Sequence, residues 1–181
     1  MKHMLQKRND FEIVEVLRKE PCHLRKIAEK LNLIPSTTMR ILKKLRKENI
    51  VDYKTEGKNN KYFLKNSPEA EIALVMAEQY KLTKIIQEPK LRRIIKELKE
   101  KTKGELIILF GSHAKNKAKK TSDIDIYIET QNKNLKKELE QIDSKLSIKI
   151  GKFDKENLLA KEIIKDHVII QNTERYYQLI K

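Results

Sequence analysis

The chain has a single cysteine, Cys22, in 181 residues, so neither a disulfide framework nor a cysteine-rich zinc site can be built within it. A reducing cytoplasm is the compartment this predicts. No apolar run approaches the length of a membrane-crossing helix, and the opening MKHMLQKRND contains no signal-peptide core. Neither secretion nor a membrane partner is expected. His23, His113 and His167 lie scattered, without the spacing of a metal-ligand set, and read as structural or solvent-exposed side chains.

Positive charge is what the chain has in excess: 41 Lys and Arg against 26 Asp and Glu, a net +15. The excess is uneven. Residues 1–66 hold 17 basic and 8 acidic side chains, residues 67–103 hold 9 and 6, and residues 104–181 hold 15 and 12. About +9 of the charge therefore sits in the first third, which points to an anionic partner for that segment. A lysine-rich composition alone would not produce the skew.

Residues 9–19 place Phe11, Val14 and Leu17, with Ile13 beside them, on one helical face, and Pro21 ends that helix. A second helix is expected from about His23 to Leu31, with Leu24, Ile27, Ala28 and Leu31 on its inner face and Asn32 able to close it in the left-handed conformation. Pro35 suits the first position of a third helix running to about Glu48. Met39, Leu42 and Leu45 face inward there, with Ile41 at the margin. Arg40, Lys43, Lys44 and Lys47 form the opposite stripe. Ser36, Thr37 and Thr38 open the helix with short hydroxyl donors suited to phosphates or base edges. Alternation over IVDYKTEGKNNKYFLK predicts strands at about 50–56 and 60–65 around a turn at Gly57 to Asn60, with Lys54, Lys58 and Lys61 on the hairpin.

The ordered run HLRKIAEKLNLIPSTTMRILKKLRKENIVDYKTEGKNNKYFL resembles the winged helix-turn-helix domains of archaeal and bacterial transcription regulators. That resemblance implies double-stranded DNA as partner, with the third helix in a major groove and the hairpin as a wing. A winged helix used for protein contacts is the plain alternative.

Ser67 and Pro68 break the pattern, and a long helix is expected from Glu69, with Ile72, Val75, Met76 and Gln79 on one side. It is read as a connector over residues 67–88, serving either homodimerisation or intrachain packing. Leu91, Ile94, Ile95 and Leu98 mark a further amphipathic helix that ends near Gly104. Tyr176 and Tyr177, beside Ile169, Ile170, Leu179 and Ile180, read as core of a final helix.

Leu106 to Phe110 is a short apolar strand that runs into Gly111 and Ser112. A Gly-Ser turn after a strand lets backbone N–H groups approach a triphosphate closely. Asp123 and Asp125 follow in SDIDIYI, where a period of two puts both carboxylates on one face. Such a pair repels itself unless a cation intervenes, and Mg²⁺ is the natural oxygen-bound occupant.

The Gly-Ser turn and the later Asp-x-Asp strand are similar to the signature of the nucleotidyltransferase superfamily, in its minimal (MNT-type) form, over about residues 89–181. The resemblance implies a nucleoside triphosphate bound at Gly111, Ser112 and Lys115, and Mg²⁺ held by Asp123 and Asp125 as the catalytic pair. It also implies transfer of a nucleoside monophosphate to a hydroxyl acceptor, and, for antitoxin-like members, a HEPN-type helical protein partner. Active members add a third carboxylate from the neighbouring strand. Here that strand reads LSIKIGKF, with Lys149 nearest the expected position, Ser147 the other candidate, and Asp154 and Glu129 as substitutes elsewhere. An ammonium at that place would neutralise the aspartates without metal.

The fold class expected is therefore a two-domain α+β protein: a winged helix-turn-helix over 1–66, a helical connector, and a small mixed-sheet nucleotidyltransferase-like domain over 89–181. Two functions follow. One is a DNA-binding transcriptional regulator whose second domain senses nucleotide or a partner with weak or no transfer. The other is an active Mg²⁺-dependent nucleotidyltransferase.

Overall fold

A computed structural model describes residues 7–180, which divide into two compact units with the boundary between Tyr80 and Lys81. Each has its own core.

In the first unit, helix α1 (Asn9–Lys19) buries Ile13, Val14 and Leu17. After Pro21 comes a two-residue strand β1 (Cys22–His23), followed by α2 (Leu24–Leu31) and α3 (Pro35–Lys47). Asn32 adopts φ 51° and caps α2, as its short polar side chain permits, and Pro35 begins α3. Strands β2 (Val51–Glu56) and β3 (Asn59–Leu64) form the hairpin, with Gly57 at φ 61° in the two-residue turn. The sheet order is β1-β3-β2, all antiparallel. His23 is thus a strand residue, and the second helix begins one residue later than its periodicity implied.

Helix α4 (Pro68–Ile85) is capped by Ser67, whose hydroxyl accepts the Ala70 N–H at 3.2 Å and donates to the Asn49 carbonyl at 2.7 Å. Its inner face is the alanine side, and the stripe containing Ile72 and Met76 lies opposite. Ala70, Ala73, Ala77 and Tyr80 are buried, whereas Ile72 and Met76 are 61 % and 47 % exposed. Small alanines let the helix lie close to the first core, which Ala73 and Ala77 join, so the larger side chains are left facing outward. The boundary between the units falls within this helix, and Leu82, Ile85 and Ile86 belong to the second core.

The second unit runs α5 (Pro89–Lys101), β4 (Ile107–Phe110), a single turn α6 (Gly111–Ala114), β5 (Ile124–Glu129), α7 (Lys133–Glu140), β6 (Leu146–Gly151), α8 (Leu158–Lys165), β7 (Val168–Gln171) and α9 (Thr173–Ile180). Its mixed sheet has the order β6-β5-β4-β7, with β5 and β6 parallel and the other pairs antiparallel. Alternation divides the core between the two sheet faces. Ile107, Leu109, Ile124, Ile126 and Ile148 pack with Leu91, Ile94, Ile95 and Leu98 of α5 and with Leu135 and Leu139 of α7. Ile108, Phe110 and Tyr127 pack with Ala160 and Ile163 of α8 and Tyr176 of α9. Ile169 and Ile170 lie in strand β7, against β4, rather than in the final helix. Their β-branched run has a neighbouring strand to pair with, which local periodicity could not reveal.

Candidate functional site

The basic face of α3 is exposed: Ser36, Arg40, Lys43, Lys44, Arg46 and Lys47 all reach solvent, and Thr37 is half-buried. Thr38 is the exception and corrects the expectation of a DNA contact there. It is fully buried, and its hydroxyl donates to the Ile34 carbonyl at 3.2 Å, one turn back in the same helix. Lys44 lies 3.7 Å from Glu48, and Arg46 pairs with Asp52 at 3.2 Å while stacking on Tyr53. Among the described residues, Arg40, Lys43 and Lys47 are the cations of the stripe that make no ion pair. On the wing, Lys54 and Lys61 are direct cross-strand neighbours, an arrangement of like charges that an external anion would relieve. Glu56 partly offsets them, at 3.2 Å from Lys61, and Lys58 occupies the turn.

In the second unit the antiparallel register sets Phe110, the last residue of β4, opposite Asp125 on β5. The chain then turns through Gly111 at φ 68°, packed directly on the Asp125 side chain. A Cβ at position 111 would overlap Asp125 Oδ2 and lie 3.0 Å from its Cγ, so the close approach demands glycine. Ser112 and His113 continue the turn. Asp123 immediately precedes β5 and is exposed. Gly111, Ser112, Asp123 and Asp125 thus gather at one end of the sheet.

Burial pushes the Asp125 carboxyl above the usual range, and Asp123 and Glu162 add repulsion. A hydrogen bond from Ser147 and the nearby His113 oppose the shift. The donor set is oxygen-rich and its two aspartates repel one another, which fits one hard divalent cation completed by substrate phosphates. Among the described residues no group of three or more His, Cys, Asp or Glu is arranged to hold a metal.

The parallel register shows which β6 residue lies beside Asp125. Ser147 is paired with Asp125, whereas Lys149 is paired with Tyr127 one step further along the sheet and is exposed. Lys149 is therefore not the residue beside the aspartates, because strand pairing and not linear spacing decides the neighbour. Both possible substitutes have partners of their own. Glu129 is held by Arg175 in two contacts of 2.9 and 2.8 Å, and Asp154 accepts the Glu156 N–H in the loop after β6. Lys115 Nζ pairs with Glu162 Oε1 of α8 at 3.1 Å. Glu162 went unnoticed in the sequence because nothing local links it to a turn 47 residues earlier. His113 Nε2 is buried without a hydrogen-bond partner, so this histidine is less ordinary than its scattered spacing implied.

Residues 91–180 match the family model described as a nucleotidyltransferase domain, and residues 11–53 match that of the arsR family of bacterial regulatory proteins. The chain joins a helix-turn-helix to a nucleotidyltransferase domain. Two Methanocaldococcus jannaschii proteins, provisionally named protein adenylyltransferases, are 56 % and 54 % identical to it over 39 residues. Those stretches cover 22 % of this chain and 40 % and 45 % of the relatives, so the chain spans less than half the length of the relatives it matches. Among solved structures, a zinc-responsive MarR family member of Lactococcus lactis overlaps at 19 % identity with a TM-score of 0.38, over 49 % of this chain and 64 % of that one. A protein of Archaeoglobus fulgidus overlaps at 24 % identity and a TM-score of 0.38, over 46 % of this chain and 92 % of its own. Among the described residues of the helix-turn-helix and nucleotidyltransferase domains, no helix is long and apolar enough to cross a membrane.

Proposed function

We propose that this chain is a sequence-specific, cytoplasmic DNA-binding transcriptional regulator whose nucleotidyltransferase domain binds a nucleoside triphosphate with Mg²⁺. The observation that carries the first half is the exposed cationic face of α3 beside a lysine-bearing wing, in a segment holding about +9 of the net charge. Lys43, Lys44, Lys47 and the wing residues Lys54, Lys58 and Lys61 contact phosphates, while Ser36, Thr37 and Arg40 lie nearest the bases. The outward Ile72 and Met76 of α4 supply an apolar stripe through which two copies dimerise to match a two-fold site.

In the second domain Gly111, Ser112 and Lys115 receive the phosphates, and Asp123 and Asp125 hold the cation. When bound, Mg²⁺ would offset the repulsion between the aspartates and draw charge from the phosphates. Ser147 at the third-acid position leaves the acceptor hydroxyl without a carboxylate, which favours binding over fast transfer. A second reading, a protein-modifying transferase acting with a HEPN-type helical partner, is favoured by the names of the relatives and by Lys149 lying off the site.

The DNA reading is tested by titrating duplex DNA across salt concentrations with the parent and with the triple substitution Arg40→Ala, Lys43→Ala, Lys44→Ala. The triple variant should bind more weakly and lose about two to three units of salt slope. Unchanged binding refutes the assignment.

A further inference from the structure

Lys115 and Glu162 come from separate parts of the second unit, the turn after Gly-Ser and helix α8, yet their charged ends meet at 3.1 Å. Both side chains are partly exposed, at 34 % and 49 %, so the contact is not forced by burial. It spans the edge of the Asp125 site, because Lys115 follows Ser112 by three residues and its N–H closes the turn on the Gly111 carbonyl at 3.2 Å. Lys115 is also the residue of this turn assigned above to the nucleotide phosphates. An ammonium engaged in a carboxylate contact is a weaker partner for a second anion, so the two roles compete.

Resting on the nucleotide-binding reading, we propose that Glu162 is a positioning and selectivity residue of this site: its carboxylate occupies Lys115 until a polyphosphate displaces it. In the resting protein Glu162 holds the ammonium at the mouth of the site, and an anion must outcompete a carboxylate to take it. A nucleoside triphosphate, with several charged oxygens and an accompanying cation, meets that condition; a singly charged ligand does not. Once Lys115 has moved to the phosphates, Glu162 is left with an uncompensated charge on the side of the site where Asp125 already feels it. That repulsion limits the gain and keeps binding reversible. The contact is a partly exposed ion pair, so its effect is modest and graded.

A double-mutant cycle on the full chain tests this, with ATP and Mg²⁺ as the probe and calorimetric affinity as the readout. Glu162→Gln, which keeps the shape and removes the charge, should tighten ATP by about two- to fivefold. Lys115→Ala should weaken it by about tenfold, the loss of a charged hydrogen bond to phosphate. The decisive arm is Glu162→Gln in the Lys115→Ala background, where the tightening should shrink to the small part due to general repulsion, because no cation remains to be released. Glu162→Asp, which retains the charge, should return affinity toward that of the parent. Tightening that persists undiminished without Lys115 overturns the proposal in favour of general repulsion, and an unchanged affinity of Glu162→Gln overturns it outright. Absence of ATP binding in all four proteins of the cycle refutes the nucleotide-binding reading and this proposal together, whereas additive effects among proteins that bind refute this proposal alone. Circular dichroism of each variant confirms that these surface substitutions leave the fold intact.

Discussion

Replacing Gly111 by alanine should be the most damaging single methyl group that can be added to the second unit's glycines. Two costs combine. The φ of 68° is left-handed, which an L-residue adopts at a cost of about 1–2 kcal/mol, and the new Cβ overlaps the Asp125 carboxylate and lies 3.0 Å from its Cγ. Relief requires moving Asp125 or the turn, and overpacking of this kind costs about 1–3 kcal/mol. Gly104 is the internal control: it also has a left-handed φ, 89°, but a Cβ there meets nothing within 4 Å. The difference between Gly111→Ala and Gly104→Ala therefore isolates the close approach. At about 4–8 °C per kcal/mol for a domain of this size, Gly111→Ala should melt at least about 5 °C below Gly104→Ala. Thermal and denaturant unfolding of the full chain measure it. Adding Asp125→Ala removes the clashing carboxylate, so Gly111→Ala/Asp125→Ala should be less destabilised than the sum of the single variants. Equal melting of Gly111→Ala and Gly104→Ala would refute the reasoning.

Thr38→Val should destabilise the first unit by about 1 kcal/mol, through the lost hydrogen bond to Ile34, and leave DNA affinity unchanged; a selective loss of affinity would return Thr38 to the interface. Tyr127 has its phenol pushed up to about 12 by burial and by Glu129, and it donates to the Gly151 carbonyl at 2.8 Å. Because its folded value lies above the unfolded value of about 10, stability is unaffected by this group below pH 10 and declines from pH 10 towards 12. Tyr127→Phe should flatten that decline in unfolding measured at pH 9 and 11.5; an identical decline in the variant counts against it. Ser147→Asp places a carboxylate at the β6 position paired with Asp125, and incubation with labelled nucleoside triphosphate and Mg²⁺ should show more covalent transfer than in the parent. No gain in the folded variant would mean that acceptor activation is not what the site lacks.

Features governed by neighbours in sequence were legible from the sequence alone. Asn32 and Pro35 mark the helix-turn-helix by their own backbone preferences, and the Leu91, Ile94, Ile95, Leu98 stripe is buried as its spacing implied. The Gly-Ser turn and Asp-x-Asp strand were equally visible, and the structure brings them together. What escaped notice depends on distant pairing. Strand β1 exists because Cys22 and His23 find Tyr62 and Lys61, and β7 exists because β4 offers it an edge. Helix α4 left two readings open, dimerisation or intrachain packing, because its buried alanines carry no apolar stripe of their own while Ile72 and Met76 look outward. The exchange of Lys149 for Ser147 has the same origin, since a parallel register between strands some twenty residues apart is not written in either strand. Glu162 reaches the site only through the packing of α8.

The central claim, that the second domain is a metal-dependent nucleotide site built on two aspartates, is tested most directly by equilibrium binding of labelled ATP with and without Mg²⁺. The comparison is between the parent and the folded Asp123→Asn/Asp125→Asn variant. The account predicts saturable binding by the parent that strengthens with Mg²⁺ and loses that strengthening in the variant. Binding that is indifferent to both aspartates, or no binding by the parent, would contradict it.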